Sequence, residues 1–224
     1  MKPNLLCVGN VKAGSTSLWD TLAQHPQIFM AKNKEVHFFD RHYEKGFDWY
    51  ESHFEEHTNQ KIVGEVTPNY MYQDLFLERV YNYFDKLKVI VLIRNPVERV
   101  ISHHQMFYAS GHNDRWDKDK NILDSKWFNW YIEKTFCYDR IIEMEKKYDV
   151  LCIQTEKLNE SYTKIQEWLG VDVEELIPRY GMVNENKFNV DIKTKEYVLS
   201  FFTDEILKLE QHLGWDLKDY KTVK

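Results

Sequence analysis

The chain has 224 residues, 43% of them apolar and 29% charged, with a net charge of −6. That is enough chain for one α/β domain with a buried core, and it is too apolar for disorder. The acidic balance speaks against a broad nucleic-acid face, and no apolar run approaches the roughly 20 residues of a membrane span.

The elements follow in order along the chain. Leu5–Gly9 reads as a short apolar strand, and residues 17–24 as a helix with Leu18 and Leu22 on one face. Between them Gly9 and Gly14 have the spacing of the phosphate-cradling pattern G-x-x-x-x-G-K-[ST]. Position 15, however, is serine, and the lysine, Lys12, sits inside the loop. Residues 28–31 are short and extended. Residues 61–67, KIVGEVT, are β-rich and stop at Pro68; residues 74–86 are helical. Residues 88–93, KVIVLI, form a continuous apolar strand, as expected when both sheet faces are covered. A helix over 97–108 is introduced by Asn95 as cap, Pro96 at its first position and Glu98 at the capping-box position. Residues 126–147 read as one long amphipathic helix and 150–154 as a buried strand. Helices over 161–169 and 204–213 stop at Gly170 and Gly214.

This alternation predicts a single α/β domain over residues 1–224, with a mostly parallel central sheet and helices on both faces. In such sheets ligands bind beyond the carboxyl ends of strands, where Lys12 and Arg94 fall. Residues 1–10, MKPNLLCVGN, lack the apolar region of a signal peptide and run straight into the glycine loop, so the expected location is cytoplasmic. Cys7, Cys137 and Cys152 form no C-x-x-C pair and read as buried thiols.

A helix N-terminus is an anion site because its first N–H groups have no intrahelical acceptor. Gly14 lets the backbone approach an anion, Ser15, Thr16 and Ser17 add hydroxyls, and Lys12 adds a charge. An ordinary strand–turn–helix with an exposed lysine fits the glycines equally well. The second apolar strand ends in Arg94 rather than in the acid that holds Mg²⁺ in phosphoryl-transfer enzymes. The residues therefore point to a phosphate held by cations and hydroxyls without a metal, which suits transfer of a sulfuryl group. His53 and His57 lack the glutamate after the first histidine that a zinc helix needs, and they read as a solvated face. The adjacent His103 and His104 read as packing or surface residues.

Five segments in this order, KAGSTSL (12–18), KEVHFFD (34–40), GEVTPNYMY (64–72), RNPVERVIS (94–102) and LEQHLGWDL (209–217), resemble the sulfotransferases that use 3′-phosphoadenosine 5′-phosphosulfate, PAPS. The resemblance is to the branch containing the heparan sulfate 3-O- and N-sulfotransferases and their bacterial relatives. It implies a P-loop-NTPase-like three-layer fold and transfer of the sulfuryl group to a hydroxyl, or secondarily an amine, on a carbohydrate or small molecule, releasing 3′,5′-ADP without a metal. It implies that Lys12, Ala13, Gly14, Ser15, Thr16 and Ser17 hold the 5′-phosphosulfate, with Lys12 also stabilising the leaving group. Arg94 and Ser102 would hold the 3′-phosphate, and Lys187 would add a late cofactor contact. Glu35 would be the general base, its pKa raised by Val36, Phe38 and Phe39, with His37 beside it. Asp40 would orient the site or meet the acceptor. Apart from the resemblance, the mixed aromatic and polar residues over 109–131, Trp116 among them, suit acceptor contact in a lid and suit core packing of the next helix equally well. Two departures stand out: Val66 replaces a lysine that follows the glutamate in heparan-type members, and residues 184–191 lack their cysteine. No nucleic-acid or membrane partner is expected, and nothing in the sequence sets an oligomeric state. The alternatives are a P-loop nucleoside or small-molecule kinase and a non-catalytic nucleotide-binding protein.

Overall fold

Five short apolar segments make the sheet, and in each the side chains alternate between its two faces. The computed structural model describes residues 2–109, 120–179 and 188–223. Strands β1 (Leu5–Gly9), β2 (Ile28–Met30), β3 (Ile62–Val66), β4 (Lys88–Ile93) and β5 (Asp149–Gln154) form one sheet in the order β2-β3-β1-β4-β5. Every neighbouring pair is parallel. The helices are α1 (Ser15–Leu22), α2 (Phe38–Arg41), α3 (Gly46–Ser52), α4 (Phe76–Tyr83), α5 (Pro96–Ala109), α6 (Phe128–Glu133), α7 (Tyr138–Glu145), α8 (Tyr162–Leu169), α9 (Ile192–Ser200) and α10 (Thr203–Leu213). The chain forms two compact units, Met1–Ile93 with Arg140–Gly181, and Arg94–Asp139 with Met182–Lys224.

The first unit holds the whole sheet. Leu5 and Cys7 of β1, Ile90 and Leu92 of β4 and Leu151 and Ile153 of β5 share one core with Leu18 and Leu22 of α1 and Ile165 and Leu169 of α8. The opposite face is covered by aromatic residues from α2, α3 and α4. Phe38 stacks on Tyr50 with ring centroids 4.6 Å apart, and Phe39 meets Tyr50 edge-on at 5.1 Å and Tyr70 edge-on at 5.5 Å. Such pairs add about 0.5–1.5 kcal/mol each beyond the area they bury. The sheet is thus covered on both sides, as the apolar run of β4 requires. β1 lies between β3 and β4, so the chain reverses its direction of travel across the sheet beside β1. The carboxyl ends of β1 and β4 border the switch point where doubly wound sheets bind ligands.

The second unit is helical among its described residues. Asn95 caps α5, its side-chain oxygen accepting from the N–H groups of Val97 at 3.0 Å and Glu98 at 3.2 Å. Arg99 is fully buried and donates to the Tyr131 carbonyl, to the Thr135 hydroxyl at 3.0 Å and to His103 Nδ1 at 2.8 Å. His103 and His104 are both buried, so they are packing residues. The single helix expected over 126–147 is two, α6 and α7. The carboxylate of Glu205 accepts from the N–H groups of Cys137 at 2.7 Å and Tyr138 at 2.8 Å, and so starts α7 as a distant capping group. Amphipathic periodicity runs through such a break because the cap comes from another element. Helices α2, α3 and α9 were not anticipated, the first two being short and crowded with aromatic residues. All three cysteines are buried free thiols.

Candidate active site

The loop after β1 is shaped by backbone constraints. Gly9 has φ 132°, and a Cβ there would lie 2.3 Å from the Leu92 carbonyl oxygen of β4. Only glycine allows this strand to leave the sheet so close to its neighbour. The Asn10 N–H donates to that same carbonyl at 2.9 Å, and the Asn10 side chain donates to the Tyr72 hydroxyl at 2.9 Å. Lys12 takes the left-handed conformation, with φ 72°. Gly14, at φ 83° and ψ 18°, is the N-cap of α1. The Thr155 hydroxyl donates to the Ala13 carbonyl at 2.8 Å and ties down the far side of the loop. The first turn of α1 carries no acid, and no side chain caps it. Lys12, Ser15, Thr16, Ser17 and the first-turn amides are thus a donor set of the kind an anionic phosphate requires. A phosphosulfate fits that set by its chemistry.

The segment after β2 is shaped by side chains. Glu35 and His37 are also left-handed, with φ 65° and 56°, and each such non-glycine residue costs about 1–3 kcal/mol. Their side chains meet, with His37 Nε2 3.2 Å from Glu35 Oε2. On its other side His37 Nδ1 lies 2.9 Å from Asp40 Oδ2, and that oxygen also accepts from Asn69 at 2.9 Å. Lys34 Nζ donates to Glu35 Oε1 at 2.8 Å. The result is a chain Asn69–Asp40–His37–Glu35–Lys34 whose most exposed ionisable member is the Glu35 carboxylate.

This arrangement reverses one expectation. Glu35 does not have a raised pKa. The His37 hydrogen bond, with help from Lys34, lowers it to about 2, against a smaller opposing effect of burial. Val36, Phe38 and Phe39 are buried in the core and leave the Glu35 carboxylate to its polar neighbours. Burial alone would lower His37, but hydrogen bonds to Asp40 and Glu35 outweigh it and raise the imidazole to about 9. Burial likewise opposes ionisation of Asp40, and the His37 and Asn69 hydrogen bonds more than offset it, so its pKa is lowered. The Asp40 side chain is only 1% exposed. That geometry suits support of His37 better than contact with an acceptor.

In the second unit Arg94 and Ser102 line one cavity of about 190 Å³, together with Gln105, Phe188 and Lys195. The two residues assigned to the 3′-phosphate therefore share a cavity. Lys195, in α9, is a cation that sequence reasoning missed; it lies outside every motif, and only the fold brings it there. Glu98 lines the same cavity, so one acid stands among the cations. Lys187 and Trp116 lie outside the described residues. Among the described residues no cluster of histidine, cysteine or carboxylate side chains could hold a metal ion. His57 Nδ1 bonds the Phe54 carbonyl, and the His53 ring packs edge-on against Trp49 at 4.5 Å. Among the same residues no helix is long and apolar enough to cross a membrane.

The sulfotransferase domain family matches residues 2–188. The chain belongs to that family. It is 39% identical over 105 residues to the membrane-associated sulfotransferase kil1 of Dictyostelium discoideum, a match covering 46% of this chain and 22% of that protein. It is 27% identical over 209 residues to heparan sulfate glucosamine 3-O-sulfotransferase 5 of Homo sapiens, covering 89% of this chain and 57% of that protein. The chain thus spans between about a fifth and just over half the length of these relatives. Among solved structures, a sulfotransferase from Alicyclobacillus acidocaldarius superposes with a TM-score of 0.79 at 19% identity, covering 99% of each chain. That likeness shows the fold, the P-loop-NTPase-like three-layer architecture of sulfotransferases.

Proposed function

We propose that residues 1–224 act as a single PAPS-dependent sulfotransferase domain, cytoplasmic and independent of metal, with a hydroxyl of a carbohydrate or small molecule as acceptor. The observation that carries this reading is the hydrogen-bonded chain from Asp40 through His37 to Glu35, at the same carboxyl edge of the sheet as the Lys12–Ser17 anion loop. PAPS, when bound, supplies an activated sulfuryl group and departs as 3′,5′-ADP. Lys12 offsets the charge that develops on the departing phosphate, a form of stabilisation that is often the largest catalytic contribution. Ala13, Gly14, Ser15, Thr16 and Ser17 hold the 5′ end through amides and hydroxyls, and Arg94, Ser102 and Lys195 hold the 3′-phosphate. Lys187 remains assigned to the cofactor by resemblance alone, and Trp116 to the acceptor by the aromatic and polar composition of its segment.

Glu35 takes the acceptor proton. Its low basicity is compatible with this role, because a hydroxyl oxygen becomes strongly acidic as it bonds to electron-poor sulfur, so even a weakly basic carboxylate accepts its proton. His37, protonated at neutral pH, fixes the carboxylate, and Asp40 with Asn69 fixes His37. Val66 lies in the hydrophobic core, so the segment that carries a lysine in heparan-type members offers no cation here. This favours an acceptor with less negative charge than heparan sulfate.

The test is a screen of ³⁵S-PAPS transfer onto metabolite and glycan extracts of the host, run with wild type and Glu35→Gln. Transfer by the wild type that is nearly abolished in Glu35→Gln, with 3′,5′-ADP still bound, is the expected result. Wild-type turnover by Glu35→Gln would remove Glu35 from the base role. Mg²⁺-dependent ATP turnover without ³⁵S transfer would identify a kinase instead, and 3′,5′-ADP binding without any transfer would indicate a non-catalytic nucleotide-binding protein.

A further inference from the structure

The left-handed stretch around Glu35 is held from beneath by a carboxylate that the reaction itself does not use. Glu65 of β3 is fully buried on the aromatic face of the sheet. Its Oε1 accepts from the Tyr50 hydroxyl at 2.8 Å and the Tyr70 hydroxyl at 3.0 Å, and its Oε2 accepts from the Thr67 hydroxyl at 2.6 Å. The Val36 backbone N–H faces the same carboxylate and favours its charged form. The Tyr70 hydroxyl in turn accepts the Phe38 N–H at 2.8 Å. One residue earlier, the Glu35 N–H donates to the Val66 carbonyl at 3.1 Å. Two backbone N–H groups within Glu35–Phe38 are therefore taken up by the end of β3 and the turn that follows it. The second of them is linked to Glu65 through Tyr70.

A buried carboxylate with three hydroxyl donors and, among the described residues, no ion-pair partner is a costly arrangement. Burial pushes the Glu65 carboxyl up to about 7 even with those donors in place. The ionisable groups facing it are Cys7 of β1, Tyr50 of α3 and Tyr70 of the turn after β3. All three are driven toward their neutral forms, so none repels or neutralises it at neutral pH. A hydrophobic residue would fill the same volume without the desolvation cost. What Glu65 supplies that such a residue cannot is an acceptor that fixes the Tyr70 hydroxyl beneath the Phe38 amide, next to the place where the chain passes from one left-handed residue to the next.

We propose that Glu65 is a positioning residue: by fixing the Tyr70 hydroxyl that holds the Phe38 amide it keeps Glu35 and His37 in the left-handed backbone that brings their side chains together. The inference rests on the reading of Glu35 and His37 as the reacting pair, but one arm of its test does not. Glutamine at position 65 replaces one acceptor oxygen by a donor and sets it against hydroxyls that must themselves donate. The expected result for Glu65→Gln is a His37 titration, followed by NMR of the ring, that moves from about 9 toward the ordinary value near 6.5. ³⁵S turnover onto the acceptor found in the screen should fall at least tenfold in kcat, with KM for PAPS within about twofold of wild type. Tyr70→Phe should shift both readouts in the same direction by less, and it stands in if Glu65→Gln does not fold. Tyr83→Phe, which removes a 2.8 Å bond to Glu51 in the same aromatic layer, should lower Tm without moving His37.

An unmoved His37 titration in both Glu65→Gln and Tyr70→Phe would overturn the inference, whatever their Tm. A shifted titration in an enzyme whose Glu35→Gln variant still turns over would keep the positioning role and remove the catalytic one.

Discussion

The loops that follow β1 and β2 lie at the same edge of one sheet and are stabilised by different means. The first is mainly a backbone device: Gly9 adopts a conformation closed to other residues, Gly14 and Lys12 are left-handed, β4 supplies a carbonyl, and a threonine hydroxyl holds the outer peptide. The second places ordinary side-chain-bearing residues in left-handed conformations and holds them with carboxylates, an imidazole, an amide and two tyrosines. A backbone device leaves its mark in the sequence as glycine spacing and is indifferent to pH. A polar network leaves a weaker mark and titrates. On the proposed reading, nucleotide binding draws on the first property and proton acceptance on the second.

Four outcomes test that contrast. Lys12→Ala removes the single charge of the first loop, and turnover should fall about 10²–10³-fold, as when a transition-state donor is removed. A fall under tenfold in ³⁵S transfer would move the leaving-group role elsewhere. Gly9→Ala drives a methyl group into the Leu92 carbonyl and should cost about 3 kcal/mol, or roughly 6–12 °C in Tm for a chain of this size. That loss should be constant between pH 5 and 10, since no titrating side chain is involved.

His37→Gln should behave otherwise. The folded-state pKa of His37 is raised to about 9, so its contribution is complete below the unfolded value near 6.5 and vanishes as pH rises through about 9. Glu35, lowered to about 2, contributes fully above its unfolded value near 4.5 and loses that contribution as pH falls through about 2. The Tm difference between wild type and His37→Gln should therefore be greatest between about pH 4.5 and 6.5 and close by about pH 10. A difference that grows with pH would contradict the network. Asn69→Ala deletes one hydrogen bond to Asp40 and should have the mildest consequence, about 1 kcal/mol of stability and a few-fold loss in kcat, with PAPS binding unchanged by calorimetry.

The same contrast explains what could be read from the sequence. KVIVLI and the Gly9–Gly14 spacing are local signals of a covered parallel strand and of a loop feeding a helix, and the sheet and α1 match them. The pairing of Glu35 with His37 was legible only as the resemblance of KEVHFFD. Its electrostatics were misread because the apolar neighbours at 36, 38 and 39 are adjacent in the chain yet turned into the core. Glu65 drew no notice because a glutamate within KIVGEVT looks like an edge residue facing water; Tyr50 and Tyr70, which make its burial possible, are 15 and five residues away. The division between α6 and α7 and the placement of Lys195 depend on partners supplied by the fold, which no window of residues contains.

The bond from the Thr155 hydroxyl to the Ala13 carbonyl joins residues 142 positions apart. Most of what shapes the first loop is available once β4 has paired with β1, but this clasp waits until the outermost strand, β5, has been made and docked. Contacts between such distant residues form late, because closing a long stretch of chain carries an entropic cost that earlier local contacts avoid. On the ribosome, then, a chain released before β5 would have much of the sheet and an unclasped loop. The clasp would mark synthesis past Thr155, and a product cut short before it would be distinguished by the shape of that loop before any failure of the sheet is apparent.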